Sequence, residues 1–380
     1  MQFKKMLNNA VQRRVNPERF LLHNRTPRTE ILRDGIFSVQ YFAPLEDSRT
    51  QIEGETLSVE AQQAEIPLLL VPPLGVYEWI FDLMAERSLV RYFLARGFSV
   101  YLVNWGKPDA DDSHLTLQQY ALDWLPQAVE IVKQHAQQPK ISLLGYCMGG
   151  LLAAIYTADQ GKDSVQNLIA IASPVNLHQM GGVAGLINRL ASIPTGLLKR
   201  YTGYQLTELQ PKLFHVQGRI LSFLFKMTAP TAAMSSYMGL VRNLADDAYV
   251  SRYMTMNEWF TNMPDYPGAT VQEVIQRWGL ANGLAQGQLN LSGHPIDLAD
   301  IECSLLAFAG DNDAITSIAS ASALMSVVSS TDLSFEVVPG GHAGLFTGSR
   351  AAHTTWAIAA DWLSLRSGRF IAIQNKELSQ

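Results

Sequence analysis

The chain alternates between short runs of consecutive apolar residues and longer segments of helical length. Consecutive apolar positions are typical of strands that are buried on both faces, as in a parallel sheet. The six runs of this kind are IPLLLVPPL (66–74), FSVYLVNW (98–105), ISLLGYC (141–147), NLIAIASP (167–174), SLLAFAG (304–310) and LSFEVVPGG (333–341). Because helical segments separate the first four runs, the pattern predicts an α/β fold with a mostly parallel sheet and helices on both faces.

The alternation changes after Pro174. From about residue 175 to residue 282 the chain is rich in Met, Tyr, Phe and Leu, which predicts helices and loops, and the strand pattern resumes near Leu305. The last two strands need the first four to complete a sheet, so an α/β core with a helical insertion fits better than two consecutive domains. The predicted organisation is a basic lead-in (1–45), an α/β core (46–174 and 283–370), a cap (175–282) and a C-terminal tail (371–380).

Composition and charge narrow the class of protein. Of the 380 residues, 47% are hydrophobic and 17% are charged, so a large buried core is expected. The net charge of −5 gives no reason to expect a nucleic-acid partner. Two cysteines cannot form a disulfide framework, which is consistent with the reducing cytosol. No stretch is apolar enough for a transmembrane helix, and the lead-in is expected to be solvated or to touch an anionic surface or a partner subunit.

The stretch GYCMG (145–149) follows the Gly-x-nucleophile-x-Gly pattern of a sharp turn between a strand and a helix. Glycines flank the nucleophile because side chains there would collide with the strand and the helix. The turn would present the Cys147 thiol at the carboxyl end of the sheet and at a helix N-terminus, which favours the thiolate. The Met148 N–H would point at a developing oxyanion, and a second donor is expected from the loop after the first strand, with Leu74 as the candidate.

An acid and a base follow the nucleophile in the order expected for this kind of site. The run SLLAFAG is followed by Asp311 and Asp313, and the last predicted strand is followed by a Gly-Gly turn and His342. Both aspartates could be plain turn formers, but one is expected to be catalytic, and Asp313 is favoured. Cys147, Asp313 and His342 are therefore the predicted nucleophile, acid and base, and the cap lies in the long gap before Asp313.

Other candidate chemistry is weak in this sequence. Cys303 lies just before a strand and is expected to be a small core residue. No pair of histidines or cysteines has the spacing of a metal site, so no metal is predicted. There is no glycine-rich signature for a dinucleotide or a phosphate, and no cofactor is predicted.

A thiol at the turn favours acyl transfer over simple ester hydrolysis. A cysteine nucleophile forms a thioester, so exchange with a thioester substrate is nearly isoenergetic and keeps the acyl group activated. The acyl group can then pass downhill to an alcohol. The chemistry therefore suggests acyl transfer from coenzyme A thioesters, with hydrolysis as the competing reaction.

Four segments carry a family resemblance. They are AERSLVRYFLARGFSVYLVNWGKPDADDSHLTLQQY, the box GYCMGG, NGLAQGQLNLSGHPIDLADIECSLLAFAGDNDAIT and the histidine loop PGGHAGLFTG. With them the chain resembles the polyhydroxyalkanoate synthases, in particular the short ones that work with a second subunit. Dienelactone hydrolases share a similar cysteine box, but they are much shorter and lack the long insertion. Met148 stands where the synthases often have glutamine, and the backbone donor survives this change.

The resemblance implies the α/β-hydrolase fold and a polymerising acyltransferase. Cys147 would take a 3-hydroxyacyl group from coenzyme A, and His342 would deprotonate Cys147. Asp313 would orient His342 or help to activate the 3-hydroxyl that attacks the acyl-enzyme. The coenzyme A thioester is then a substrate rather than a cofactor, and the growing polyester is a second ligand. The family further implies a homodimer in the cytoplasm, at the surface of the polymer granule, and the short N-terminal region suggests a second synthase subunit.

Two other functions stay open at this stage. A thioesterase or a lactone- or ester-cleaving hydrolase would use the same triad and release a free acid. A granule-binding or regulatory protein could keep the fold without catalysis. Analysis of the products formed from a 3-hydroxyacyl-CoA would separate these hypotheses.

Overall fold

The computed structural model describes residues 2–181, 200, 206–227 and 230–372, and an eight-stranded sheet forms its centre. The strands in chain order are β1 (Arg28–Asp34), β2 (Phe37–Phe42), β3 (Leu68–Val71), β4 (Val100–Asn104), β5 (Ile141–Tyr146), β6 (Val165–Ile171), β7 (Ser304–Gly310) and β8 (Leu333–Val338). Their order across the sheet is β1-β2-β4-β3-β5-β6-β7-β8. β2 is antiparallel to both of its neighbours, whereas β3 to β8 pair in parallel.

Helices connect and cover these strands. In chain order they are α1 (Gln2–Val15), α2 (Leu89–Ala95), α3 (Leu125–Ala136), α4 (Met148–Asp159), α5 (Gly218–Met227), α6 (Pro230–Arg242), α7 (Asp247–Thr261), α8 (Gly268–Glu273), α9 (Ile318–Ser322), α10 (Gly344–Thr347) and α11 (Thr355–Ser364). Short hairpins pair Arg49–Ile52 with Glu55–Ser58, Asp82–Met84 with Arg87–Ser88, and Gln288–Leu291 with His294–Asp297. A one-turn π-helical segment, Gln119–Trp124, leads directly into α3, and a second, Val274–Leu280, follows α8.

Side chains of the parallel strands alternate between two buried clusters, one on each face of the sheet. Leu69 and Val71 of β3 belong to the cluster that contains α3 and α4. Leu68 and Leu70 of the same strand belong to the cluster that contains α2 and α11. The predicted α/β architecture, with a mostly parallel sheet between helices, is confirmed. All six apolar runs are strands of this sheet.

The segment predicted as a lead-in, residues 1–45, supplies β1 and β2 to one edge of the sheet. It is also tied to the rest of the molecule by buried polar contacts. The Thr26 hydroxyl donates to Asp82 Oδ1 at 2.7 Å, and the Thr26 N–H donates to Asp82 Oδ2 at 3.0 Å. Asn9 of α1 donates to Asp247 Oδ1, at the start of α7, at 2.7 Å. Residues 2–45 therefore pack against the rest of the molecule and supply paired strands, in addition to being basic.

Helices dominate the described part of the predicted cap, where α5 to α8 lie. Residues 182–199, 201–205 and 228–229 of this predicted cap lie outside the described residues, as do residues 373–380 of the predicted tail. The strand Phe370–Ala372 pairs antiparallel with Gln62–Ala64 and closes the described chain. The division of the chain into lead-in, core, cap and tail stays a prediction.

Candidate active site

Cys147 lies on the sharp turn between β5 and α4. Its backbone has φ 53° and ψ −121°, a conformation that residues with a side chain rarely adopt. The Cys147 N–H donates to the Ile171 carbonyl at 2.8 Å, which fixes the turn to the end of the neighbouring strand β6. Cys147 is half-buried. The strand–turn–helix geometry therefore presents Cys147 at the carboxyl end of the sheet.

Close backbone approaches explain the glycines of this turn. A Cβ atom on Gly145 would collide with the backbone of Gly150 in the first turn of α4. A Cβ atom on Gly149 would collide with the carbonyl oxygen of Val71 at the end of β3. The steric role that the sequence predicted for both glycines is confirmed. The second contact also shows that the loop after β3 lies directly against the turn.

His342 and Asp313 lie beside Cys147. His342 follows β8, and its Nδ1 atom is 2.8 Å from Asp313 Oδ2. Because a carboxylate only accepts, Nδ1 carries the proton of this hydrogen bond. The other oxygen of Asp313, Oδ1, accepts the backbone N–H groups of Ile315 at 2.8 Å and Thr316 at 2.9 Å. Both side chains are buried, so the acid is fully hydrogen-bonded and holds the imidazole in one orientation.

The electrostatics of the site favour a protonated His342. Burial alone would lower the pKa of His342, but the interactions with Cys147 and with Asp313 outweigh it and raise the pKa of His342 above its ordinary value. His342 has side-chain hydrogen bonds with both of these residues. A cation that faces a thiol favours the thiolate, which is the nucleophilic form. The arrangement is that of a thiol beside an imidazole that a carboxylate orients.

Asp311, the second acidic candidate, has a different environment. Its Oδ1 atom accepts the Gly340 N–H at 2.9 Å and the side-chain amide of Asn312 at 2.9 Å. These contacts join the loop after β7 to the loop that carries His342. Asp311 thus hydrogen-bonds to the backbone of the histidine loop at Gly340, whereas Asp313 contacts the imidazole of His342.

The residue before the nucleophile also supports His342. The Tyr146 hydroxyl donates to the His342 carbonyl oxygen at 3.1 Å. The Tyr146 ring stacks on Phe346 with 4.8 Å between ring centroids, and all of it is buried. Tyr146 thus helps to hold the loop that carries His342, a role that the sequence pattern did not indicate.

The predicted oxyanion donors occupy different elements. Met148 is the first residue of α4, so its N–H has no carbonyl partner within the helix. Leu74 is buried in the loop that follows β3, and this loop touches the turn through Gly149. The Met148 position agrees with an N–H that points towards a reacting carbonyl. The assignment of Leu74 as the second donor stays a prediction.

Tyr266 of the predicted cap lies over the same turn, and sequence reasoning missed it. Its hydroxyl donates to Met148 Sδ at 2.7 Å. A Cβ atom on Gly75 would come within 2.9 Å of the Tyr266 ring, so the ring covers the loop that carries Leu74. Burial and the proximity of Cys147 raise the pKa of Tyr266 well above its ordinary value, which keeps the phenol protonated. Its only sequence signal is the turn-forming stretch DYPG, which indicates no chemistry.

Cys303 has the character of a structural residue. Burial raises the pKa of its thiol to about 12, so it stays protonated at neutral pH. It packs against the buried cluster on the α3 and α4 side of the sheet. This environment agrees with the small core residue that the sequence predicted.

The described part of the chain offers neither a cluster of metal ligands nor a membrane-spanning helix. Within residues 2–181, 200, 206–227 and 230–372, His, Cys, Asp and Glu side chains form no group of three or more that could hold a metal ion. None of the helices over those same residues is both long enough and apolar enough to cross a membrane.

Comparison with known proteins gives both family and fold similarity. A family model described as alpha/beta hydrolase fold matches residues 73–349. The chain is 30% identical over 308 residues to the poly(3-hydroxyalkanoate) polymerase subunit PhaC of Haloferax mediterranei, a match that covers 80% of this chain and 60% of that protein. It is 28% identical over 303 residues to the subunit of the same name from Allochromatium vinosum, covering 79% and 81%. These matches confirm the resemblance that the motifs indicated.

A solved structure supports the fold alone. A soluble variant of monoglyceride lipase from Saccharomyces cerevisiae has a TM-score of 0.53 and 12% sequence identity to this chain. The similarity covers 90% of this chain and 96% of the lipase. At this identity the likeness describes the arrangement of strands and helices and carries nothing about the substrate.

Proposed function

This chain belongs to the alpha/beta hydrolase fold family, and we propose that within it the chain is an acyltransferase that polymerises (R)-3-hydroxyacyl groups from coenzyme A thioesters. The observation that carries the proposal is the thiol of Cys147 on the nucleophile turn, paired with His342 and Asp313. A thiol at this position suits thioester exchange better than ester hydrolysis. The similarity to polymerase subunits supplies the substrate class.

The first step is acylation of Cys147. The thiolate attacks the thioester carbonyl carbon, a carbon–sulfur bond forms, and the carbonyl π pair moves to oxygen. The N–H of Met148 and an N–H from the Leu74 loop stabilise this oxyanion. The pair then returns, the bond to coenzyme A breaks, and His342 gives its proton to the leaving thiolate. Coenzyme A leaves as the free thiol, and His342 is left neutral.

The second step forms the ester bond of the polymer. Neutral His342 accepts the proton of the 3-hydroxyl of a second hydroxyacyl-CoA, and the oxygen attacks the acyl group on Cys147. The new carbon–oxygen bond forms, the carbon–sulfur bond breaks, and the thiolate–imidazolium pair is restored. The product is a longer hydroxyacyl-CoA, which can acylate Cys147 again. Asp313 orients the imidazole through Nδ1 in both steps.

The surroundings of the site fit a polymer product. We assign residues 175–282 to a cap and the flanking residues 46–174 and 283–370 to the core. Large apolar side chains on α5 and α6 are exposed, among them Phe223, Met227, Met234 and Met238. Such a surface is suited to contact with an apolar polyester or a protein partner. We propose a homodimer in the cytoplasm, at the granule surface, with a second synthase subunit as a further partner.

Product analysis tests this function. The purified chain is incubated with (R)-3-hydroxybutyryl-CoA, alone and with a candidate partner subunit, and both free coenzyme A and polymer are measured. Polymer formed with release of coenzyme A supports the proposal, and Cys147→Ser is expected to lose at least about a hundredfold in rate because it forms an ester instead of a thioester. Free 3-hydroxybutyrate as the sole product would instead identify a hydrolase. A Cys147→Ser variant that polymerised as well as the wild type would contradict the thioester-exchange argument.

A further inference from the structure

Tyr266 lies between the two elements that are proposed to supply the oxyanion donors. Its hydroxyl reaches Met148, the residue after the nucleophile, and its ring covers Gly75, the residue after Leu74. Tyr266 is half-buried and packs against the core cluster that contains Leu74. Tyr266 therefore contacts both of these elements at once.

The hydroxyl of Tyr266 has a weak partner. Within the described part of the chain, the Tyr266 hydroxyl donates its hydrogen bond to the thioether sulfur of Met148. A thioether accepts hydrogen bonds far less strongly than an oxyanion does. Exchange of this sulfur for a negatively charged oxygen would therefore be favourable. The side chain of Met148 in turn can move aside at low cost because it is unbranched.

Tyr266 is held by the backbone and by its neighbour. Its N–H donates to the Val216 carbonyl at 2.8 Å, and the Val216 N–H donates back to Tyr266 at 3.1 Å. Asp265 is fixed by the Gly218 N–H at 2.8 Å and by His215 Nε2 at 2.9 Å. A donor held in this way costs little reorganisation when charge develops nearby.

We propose that the Tyr266 hydroxyl is a third donor to the oxyanion formed at Cys147, supplied by the cap. This inference deepens the proposed acyl transfer and rests on it. When the thiolate attacks and the π pair moves to the carbonyl oxygen, the hydroxyl turns from Met148 Sδ to that oxygen. Tyr266 keeps its proton throughout, and the hydrogen bond returns to sulfur when the tetrahedral intermediate collapses.

The test compares Tyr266→Phe with the wild type, using Tyr41→Phe, a half-buried tyrosine of strand β2, as the matched control. Acylation of Cys147 is followed as the burst of coenzyme A from 3-hydroxybutyryl-CoA and as the burst of nitrophenol from p-nitrophenyl acetate. Alkylation of Cys147 by iodoacetamide is followed in parallel, because that reaction attacks a saturated carbon and forms no oxyanion. Inhibition by a trifluoromethyl ketone, which forms a tetrahedral adduct with a thiolate, is a further measurement.

We expect Tyr266→Phe to slow acylation by both donors by roughly tenfold to a hundredfold, below or near the usual effect of losing one oxyanion donor. The inhibition constant of the ketone should rise by a similar factor, and the alkylation rate should stay at the wild-type value. Unchanged acylation would overturn the proposal. An equal loss in acylation and in alkylation would overturn it too, because it would show that Tyr266 only supports the turn.

The design separates this inference from the proposed function. If the wild-type enzyme is acylated by p-nitrophenyl acetate but makes no polymer, the polymerase function is contradicted. The acylation rates of the wild type and Tyr266→Phe with p-nitrophenyl acetate still decide the role of Tyr266. A wild-type enzyme that polymerises, with Tyr266→Phe equally fast, contradicts the role of Tyr266 and leaves the function intact.

Discussion

Cys147 combines a strained backbone conformation with a thiol that faces His342, and residues from different parts of the chain are responsible for each. Its backbone occupies a conformation that costs about 1–3 kcal/mol for a residue with a side chain. Close packing of Gly145 and Gly149 against their neighbours holds the turn in this conformation. Its thiol faces His342, which is oriented by Asp313. The strain thus serves to project the nucleophile from the sheet towards its base.

The protonation of His342 should depend on its two partners. In Cys147→Ser the ionisable thiol is lost, and with it the charge that helps to raise the pKa of His342. Because burial lowers that pKa, we expect it to fall in Cys147→Ser, and Asp313→Asn should lower it as well. The measurement is an NMR titration of the His342 ring in protein labelled with ¹³C-histidine, assigned with His342→Gln.

Cys303→Ser is the matched control for this titration, because Cys303 packs against a different region of the core. It should leave the pKa of His342 at its wild-type value. If Cys147→Ser titrated like the wild type, the thiolate–imidazolium pair would be wrong, and His342 would be a neutral base that waits for a proton from the thiol.

At the scale of the element, the junction of β5 and α4 is constrained by the neighbouring strand β3. A methyl group at position 149 would collide with the carbonyl oxygens of Val71 and Pro72, which belong to fixed backbone. We therefore expect Gly149→Ala to lower the free energy of unfolding by about 2 kcal/mol or more, as overpacking in a core does. Urea unfolding followed by circular dichroism measures the change.

Gly344→Ala is the comparison for this substitution. Gly344 begins α10 and has open space where its Cβ atom would lie. Alanine has the higher helix propensity, so the stability should stay within about 0.5 kcal/mol of the wild type or rise. A Gly149→Ala protein as stable as Gly344→Ala would mean that the loop after β3 moves away freely, and the tight junction would not be required.

Most of the sheet could be predicted from the sequence, because β3 to β7 are buried on both faces and appear as apolar runs. β1 and β2 could not be found by that criterion. β1 is a half-exposed edge strand with the sequence RTEILRD, and β2 alternates in FSVQYF, with Ser38 and Gln40 buried as well. Edge strands carry the alternating signal, which is short and weak in this stretch.

The candidate site divides in the same way. Cys147, Asp313 and His342 each follow a strand of the parallel part of the sheet, and parallel strands bring their carboxyl ends to one edge of the sheet. Their proximity therefore follows from the order of the strands. Tyr266 reaches the turn only through the path of the cap, and that path depends on side-chain contacts between distant segments. No local pattern encodes it.

At the scale of the whole molecule, one short stretch of the core, residues 111–117, makes several hydrogen bonds to the predicted cap. Thr270 donates to the Leu115 carbonyl at 2.7 Å, and His215 Nδ1 lies 3.2 Å from the Ser113 hydroxyl. The Leu117 N–H donates to Glu273 Oε2 at 2.7 Å in a buried environment. These contacts lie on both sides of Tyr266 along the chain, so we expect them to help to hold Tyr266 over the nucleophile.

Glu273 is the carboxylate in this group of hydrogen bonds. Burial raises the pKa of Glu273 above its ordinary value of 4.5, and the contacts with Leu117 and Arg277 only partly oppose this effect. The folded state therefore favours the protonated acid. The stability that protonated Glu273 contributes is fully present below its ordinary pKa, and it is lost as the pH rises through the higher pKa of the folded state.

Substitution of Glu273 separates the hydrogen bond from the charge. Glu273→Gln keeps an oxygen that can accept the Leu117 N–H, and this side chain carries no charge. The free energy of unfolding of Glu273→Gln, measured relative to that of the wild type, should therefore rise from about pH 5 to about pH 8. Glu273→Ala leaves that buried N–H without its partner and should cost about 1–3 kcal/mol at either pH. Urea unfolding at the two pH values gives both differences, and Glu208→Gln, an exposed carboxylate in the same segment, is the control.

The same variants connect these hydrogen bonds to the site. If these hydrogen bonds hold Tyr266 in place, Glu273→Ala should slow acylation of Cys147 towards the rate of Tyr266→Phe, whereas Glu273→Gln should keep the wild-type rate. Combining Glu273→Ala with Tyr266→Phe should add little further loss, because both changes then remove the same interaction. Fully additive losses would show that the two residues act independently, and the cap would then contribute to catalysis through some contact other than Tyr266.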